Sequence, residues 1–125
     1  MGKIQQFEDL EVWQEAMKLA EEIYILTCNE QIRKEYSIRD QLIRAVISIS
    51  NNISEGFEYD NNKDFIKFLR YSKGSTGEVR NVLTFLFRVK LINPKIHREL
   101  TDKAINISKQ LHGFINYLRN RDKNK

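Results

Sequence analysis

One proline, Pro94, and five glycines are all that interrupt 125 residues. So few chain breakers exclude a fold of many short strands and tight turns, and they favour long helices. A lone cysteine, Cys28, excludes an internal disulfide and fits a reducing, cytosolic compartment. No apolar run approaches the ~18–20 residues that cross a bilayer, so no membrane partner is expected. The amino-terminal residues show no apolar leader and turn acidic at Glu8 and Asp9, so no signal peptide is expected. Apolar residues make up 41% and charged residues 30%, which is ordinary for a globular chain and excludes wholesale disorder. The length suits a single domain, residues 1–125, able to bury a core without metal or cross-links.

What is present is apolar periodicity in steps of three and four, which places side chains on one helical stripe. It predicts four helices, over residues 8–28, 38–57, 63–91 and 94–119. The first carries Leu10, Trp13, Met17, Ala20, Tyr24 and Thr27, with Val12, Leu19, Ile23 and Leu26 as a second row. The others carry Leu42, Val46, Ile49 and Ile53; Phe65, Leu69, Ser72, Thr76, Val79, Leu83 and Leu86; and Leu100, Ala104, Ile107, Leu111, Phe114 and Leu118. Ser37, Asn61 or Asn62, and Asn93 before Pro94 are the candidate caps, and Gly56 is a candidate stop for the second helix. The segment from Asn29 to Tyr36 is polar and reads as a connection, and the tail from Asn120 as frayed. Short links make neighbours antiparallel, and a mean step of 3.5 suits left-handed packing. The predicted fold is all-α: an antiparallel up-down-up-down left-handed four-helix bundle. Ile43, Ile47, Phe68, Phe85, Val89, Ile105 and Ile115 exceed one stripe, and serve either subunit contacts or a wide core.

Charge is divided unevenly. Residues 1–60 hold 6 Lys/Arg and 12 Asp/Glu, a balance of −6, whereas residues 61–125 hold 15 and 5, a balance of +10. The division can serve self-association or offer a basic surface to an acidic partner. On the third helix Lys63, Lys67 and Arg70 follow at i, i+4 and i+7, with Lys73 beside them and Arg80 and Arg88 farther on. Such a row can contact phosphates without sequence preference, or it can be a solvated face.

Catalytic chemistry finds little support. His97 and His112 lie fifteen residues apart, and neither is preceded at three residues by glutamate, so the di-metal pattern of helical bundles is missing. Gly74-Ser75-Thr76-Gly77 lacks the spacing of a phosphate-binding loop and reads instead as a notch for close helix packing. Cys28 has no adjacent histidine and reads as a buried or half-buried small side chain. No catalytic residue, metal ligand or cofactor is expected. Ser48, Asn52 and Glu55 share one face of the second helix, and Ser72, Ser75 and Glu78 share one face of the third. Facing each other, these rows form either a hydrogen-bonded network that sets register or a polar pocket.

Three motifs run in order along the chain: Phe7-Glu8-Asp9-Leu10-Glu11-Val12-Trp13-Gln14-Glu15-Ala16; Ser48 to Phe57, SISNNISEGF; and Phe65-Ile66-Lys67-Phe68-Leu69 with Gly74, Ser75 and Glu78. Together they resemble the four-helix-bundle proteins encoded within 23S ribosomal RNA intervening sequences, over nearly the whole chain. Ser50 departs from the pattern, where the family usually has proline. The resemblance implies a homopentamer, and a relation to the accessory protein of diversity-generating retroelements, which binds reverse transcriptase and nucleic acid. It makes Asn52, Glu55, Gly56, Gly74, Ser75 and Glu78 a structural signature and brings no enzymatic activity. Two functions are therefore expected to compete: an oligomeric RNA-binding or ribonucleoprotein-associated bundle, and an interaction scaffold for a nucleic-acid-processing protein such as a polymerase.

Overall fold

The computed structural model describes residues 4–123, and every regular element among them is helical. A 3₁₀ turn, Phe7–Asp9, precedes α1 (Glu11–Thr27). A single-turn α2 (Glu30–Arg33) leads into the long helices α3 (Tyr36–Glu58), α4 (Asn62–Arg88) and α5 (Pro94–Lys123). The four long helices close a cycle in which α3 packs on α4, α4 on α5, α5 on α1 and α1 on α3, while the diagonal pairs stay apart. Rising numbers on one helix meet falling numbers on the next. Ser48 bonds Ser75 while Ile49 bonds Ser72, and Thr84 meets His97 while Asn62 meets Asp122, so α3, α4 and α5 alternate in direction.

The core is one continuous cluster along the bundle axis, and its centre is the stripes read from α3, α4 and α5. Leu42, Ile49, Ile53, Leu69, Leu83 and Leu111 are wholly buried. Helix α4 runs unbroken through Gly74 and Gly77. Its N-cap is Asn61, whose Oδ1 accepts the Asp64 N–H at 2.8 Å while its Nδ2 donates to the Asp64 carboxylate. Asn93 caps α5 through the Ile96 N–H at 2.8 Å, with Pro94 at the first helical position, where no N–H is needed. Helix α5 passes Arg119 and continues to Lys123, and Asn62 Nδ2 donates to Asp122 there; residues 124–125 of the expected tail lie outside the described residues.

Helix α1 differs most from its sequence reading. Leu10 is extended, at φ −73° and ψ 126°, so Asp9 belongs to the 3₁₀ turn and Glu11 opens the helix. The buried stripe is Val12, Ala16, Leu19, Ala20, Ile23 and Thr27; Trp13 and Met17 are half-buried, and Tyr24 is 54% exposed. The stripe is rotated by nearly one residue from the expected one. Small side chains, Ala16 and Ala20, occupy the seam and let α1 approach its neighbours, while the larger amphipathic rings keep a wet edge. The connection to α3 also holds a core residue: Ile32, at 0% exposure, plugs the end of the bundle from α2, whose first turn Asn29 caps through the Gln31 N–H. Ser37 is not a cap, because α3 has already begun at Tyr36 behind Glu35, which makes no side-chain cap bond.

Gly56 does not stop α3. The helix continues to Glu58, and the reversal is made by Asp60 at φ 59°, in the left-handed region that aspartate tolerates better than most residues. Gly56 instead seats α4: a Cβ there would lie 2.7 Å from Phe68 Cβ and 3.1 Å from Phe65 Cδ1. Gly74 and Gly77 behave oppositely. Both are exposed, and a Cβ at either meets nothing within 4 Å, so they are not the packing notch within this chain. The surplus apolar residues divide as well. Ile115 joins the core, Ile43, Phe68 and Ile105 are half-buried, and Ile47, Phe85 and Val89 remain exposed.

Candidate functional site

Helix α4 lies between α3 and α5, so its inner face is consumed by packing and its outer face is free. Heptad spacing fixes which residues fall outside. Lys63, Lys67 and Arg70 are exposed along that face, and Arg88, about seven turns beyond Lys63, returns to the same line. Gly74 and Gly77 lie between Arg70 and Arg88, and the middle of the face carries the exposed Glu78, Asn81 and Phe85. Lys73, half-buried, and Arg80, exposed, lie toward α5 instead, on the flank that carries Thr84. The structure therefore brings Lys63, Lys67, Arg70 and Arg88 onto one line and sets Lys73 and Arg80 apart.

Among the described residues the ion pairs within 4.0 Å are Lys18–Glu15, Arg44–Asp40 and Lys103–Glu22, so none of those six cations is neutralised. Lys67 Nζ stands 5.7 Å from the centroid of the Phe68 ring. Phe68 is stacked by Tyr59 at 5.2 Å with planes 10° apart, and met edge-on by Tyr71 at 5.7 Å. The sequence reading passed over Tyr59 and Tyr71. The signal for Tyr71 was present: it continues the Lys63–Lys67 ridge at the next i+4 step. Tyr59 joins only through the turn between α3 and α4, which periodicity does not describe.

The two polar rows do face each other, but only in part. Asn52 Nδ2 donates to the Ser48 carbonyl and hydroxyl at 2.8 and 3.0 Å, and the Ser75 hydroxyl bonds that of Ser48 at 2.9 Å. Ser72, fully buried, donates to the Ile49 carbonyl at 2.8 Å, a bond between helices that satisfies its hydroxyl and sets register. Glu55 and Glu78 are exposed and make no side-chain hydrogen bond in this network. Beside it lies an open groove of about 340 Å³ lined by Asp40, Gln41, Arg44, Ala45, Ser48 and Glu78, crossed by the Arg44–Asp40 pair at 3.6 Å. The row is thus a structural network with a shallow groove at its edge.

Other candidate groups are engaged locally. His97 stacks on Phe87 at 4.6 Å and shares a hydrogen bond with Thr84, while His112 pairs with Asn116. Cys28 is exposed rather than buried, because it falls just past the end of α1. Among the described residues no three His, Cys, Asp or Glu side chains converge as a metal site would require. No helix among them is long and apolar enough to cross a membrane.

The sequence profile described as 23S rRNA-intervening sequence protein matches residues 8–113. The chain belongs to that family. A solved structure of a Bacteroides thetaiotaomicron protein of unknown function, from the S23 ribosomal protein family, is similar with a TM-score of 0.77 and 27% identity. The match covers 83% of this chain and 97% of that one. No functionally curated protein matches the chain. Family membership thus agrees with the helical architecture and assigns no reaction.

Proposed function

We propose that the protein is a non-enzymatic, oligomeric helical bundle that binds RNA through phosphate contacts along the outer face of α4. The observation that supports this reading most is the charge on that face. Lys63, Lys67, Arg70 and Arg88 stand in line, exposed, and free of ion pairs among the described residues, although the chain carries 17 Asp and Glu. Holding Lys63, Lys67 and Arg70 within about two turns of one another costs electrostatic repulsion that phosphates relieve, and Arg88, about 27 Å farther along the helix, adds a separate phosphate contact. Four such contacts to a single strand make log affinity fall with log salt at a slope near about −3, roughly a 50-fold weakening over a fourfold rise in salt. Titrating labelled RNA at low and moderate salt checks this, and a flat response overturns it.

Self-association, as the homopentamer that the family resemblance implies, is the second half of the proposal. Ile47, Phe85 and Val89 support it, since each is an apolar side chain left 38–47% exposed by a core that is already closed; Phe85 and Val89 lie about 22 Å or more along α4 from Arg70, so self-association there leaves Lys63, Lys67 and Arg70 open. A purified particle with the mass of one chain would remove this half.

A further inference from the structure

We infer that the turn between α3 and α4 is a stacking platform for the bases of a single-stranded polynucleotide, a reading that rests on the phosphate contacts proposed above. Tyr59 and Tyr71 are 53% and 52% exposed, yet both are held against the same ring, Phe68. Phe68 is itself held, because its Cβ closes on the side-chain-free surface of Gly56, leaving no room for a methyl group. Two aromatic side chains are thus fixed in place while about half their surface stays in water. Buried core packing does not need such an arrangement, and base faces can use it.

The cations are placed to match. Lys63, Lys67 and Tyr71 form one i, i+4, i+8 ridge on α4, with Arg70 beside it. A strand running along this ridge sets its phosphates on the ammonium and guanidinium groups and turns its bases toward Tyr71 and Tyr59. Glu58 at the end of α3 and Asp60 in the turn are exposed carboxylates that disfavour phosphate there, while the Asp64 carboxylate on α4 is engaged by Asn61 Nδ2 at 2.9 Å. Duplex bases are already stacked on each other and gain nothing from the tyrosines. The platform therefore separates single strands from duplexes without reading sequence.

The test compares wild type with Tyr59→Ala/Tyr71→Ala and with Tyr59→Phe/Tyr71→Phe. The probes are oligouridine and oligothymidine, each carrying one 2-aminopurine, and a duplex of equal length. The alanine pair should weaken single-strand binding by roughly 5- to 150-fold per ring and abolish the 2-aminopurine quenching, while the duplex affinity and the salt slope stay as in wild type. The phenylalanine pair should bind as wild type does, since the ring is kept. Binding of both sugar types supports recognition through base and phosphate, and a preference for one adds a sugar contact to the same platform. Unchanged single-strand affinity in the alanine pair, with the salt slope intact, overturns the platform and leaves the phosphate reading standing. An equal loss on the duplex overturns it too. Failure of wild type to bind either form takes the phosphate reading down as well. Circular dichroism of each variant guards against unfolding, which exposed positions make a small risk.

Discussion

Reversing Lys63, Lys67 and Arg70 to glutamate will weaken RNA binding about 100-fold at ~0.1 M salt, and the salt slope will fall from near −3 toward −1. Each single-strand phosphate contact changes affinity about fivefold per decade of salt, and three contacts multiply to that figure. Repulsion from the new carboxylates can only add to the loss. The fold should be unaffected. All three side chains are exposed, glutamate favours helix as well as lysine does, and at Lys63 it enters the first turn of α4, where the helix dipole favours negative charge. Binding isotherms with circular dichroism on the same samples provide the measurement. Retained affinity in a folded variant would show that phosphate contact lies elsewhere.

Gly56→Ala will destabilise the bundle by about 1–3 kcal/mol, against the usual direction of that substitution in a helix. In an open helical position alanine gains about 1 kcal/mol over glycine. At Gly56 the new Cβ falls 2.7 Å from Phe68 Cβ, an atom fixed to the α4 backbone, so the two helices must separate. Gly74→Ala supplies the contrast, because nothing lies within 4 Å and stability should rise by about 1 kcal/mol. Chemical denaturation of both variants decides the matter. Equal gains at the two positions would mean that α3 and α4 are not in close contact at Gly56. The prediction also reaches function, since the contact that Gly56 provides seats the ring beneath Tyr59 and Tyr71.

The core of α3, α4 and α5 was legible because each helix has one dominant apolar stripe, and one stripe admits one inward face. Helix α1 offered two rows, and the larger side chains pointed to the wrong one. The choice depended on how closely neighbouring helices approach, which is a property of the assembled bundle. Ile32 was hidden for a related reason: a single apolar residue within a polar connection has no period, and only the end of the bundle shows that it fills a gap. The three glycines of α3 and α4 look alike in sequence, but what faces each one separates them.

Among the candidate functional features, the Lys63–Lys67–Arg70 row and its exposure follow from spacing alone, because the α4 stripe assigns the inner face and the remainder must point outward. The same holds for the rows of Ser48 with Asn52 and of Ser72 with Ser75. Exclusion of Glu55 and Glu78 from their network needed the helix rotation as built. The tyrosine platform needed still more, because Tyr59 lies in the turn after α3 and Tyr71 on α4, and they meet only at Phe68. Local spacing determines helices, their buried stripes and the charges left over, since those depend on residues three and four apart. Distances between helices, the roles of individual glycines and the pairing of side chains across a turn depend on how the rods settle against one another, and only the tertiary structure decides them.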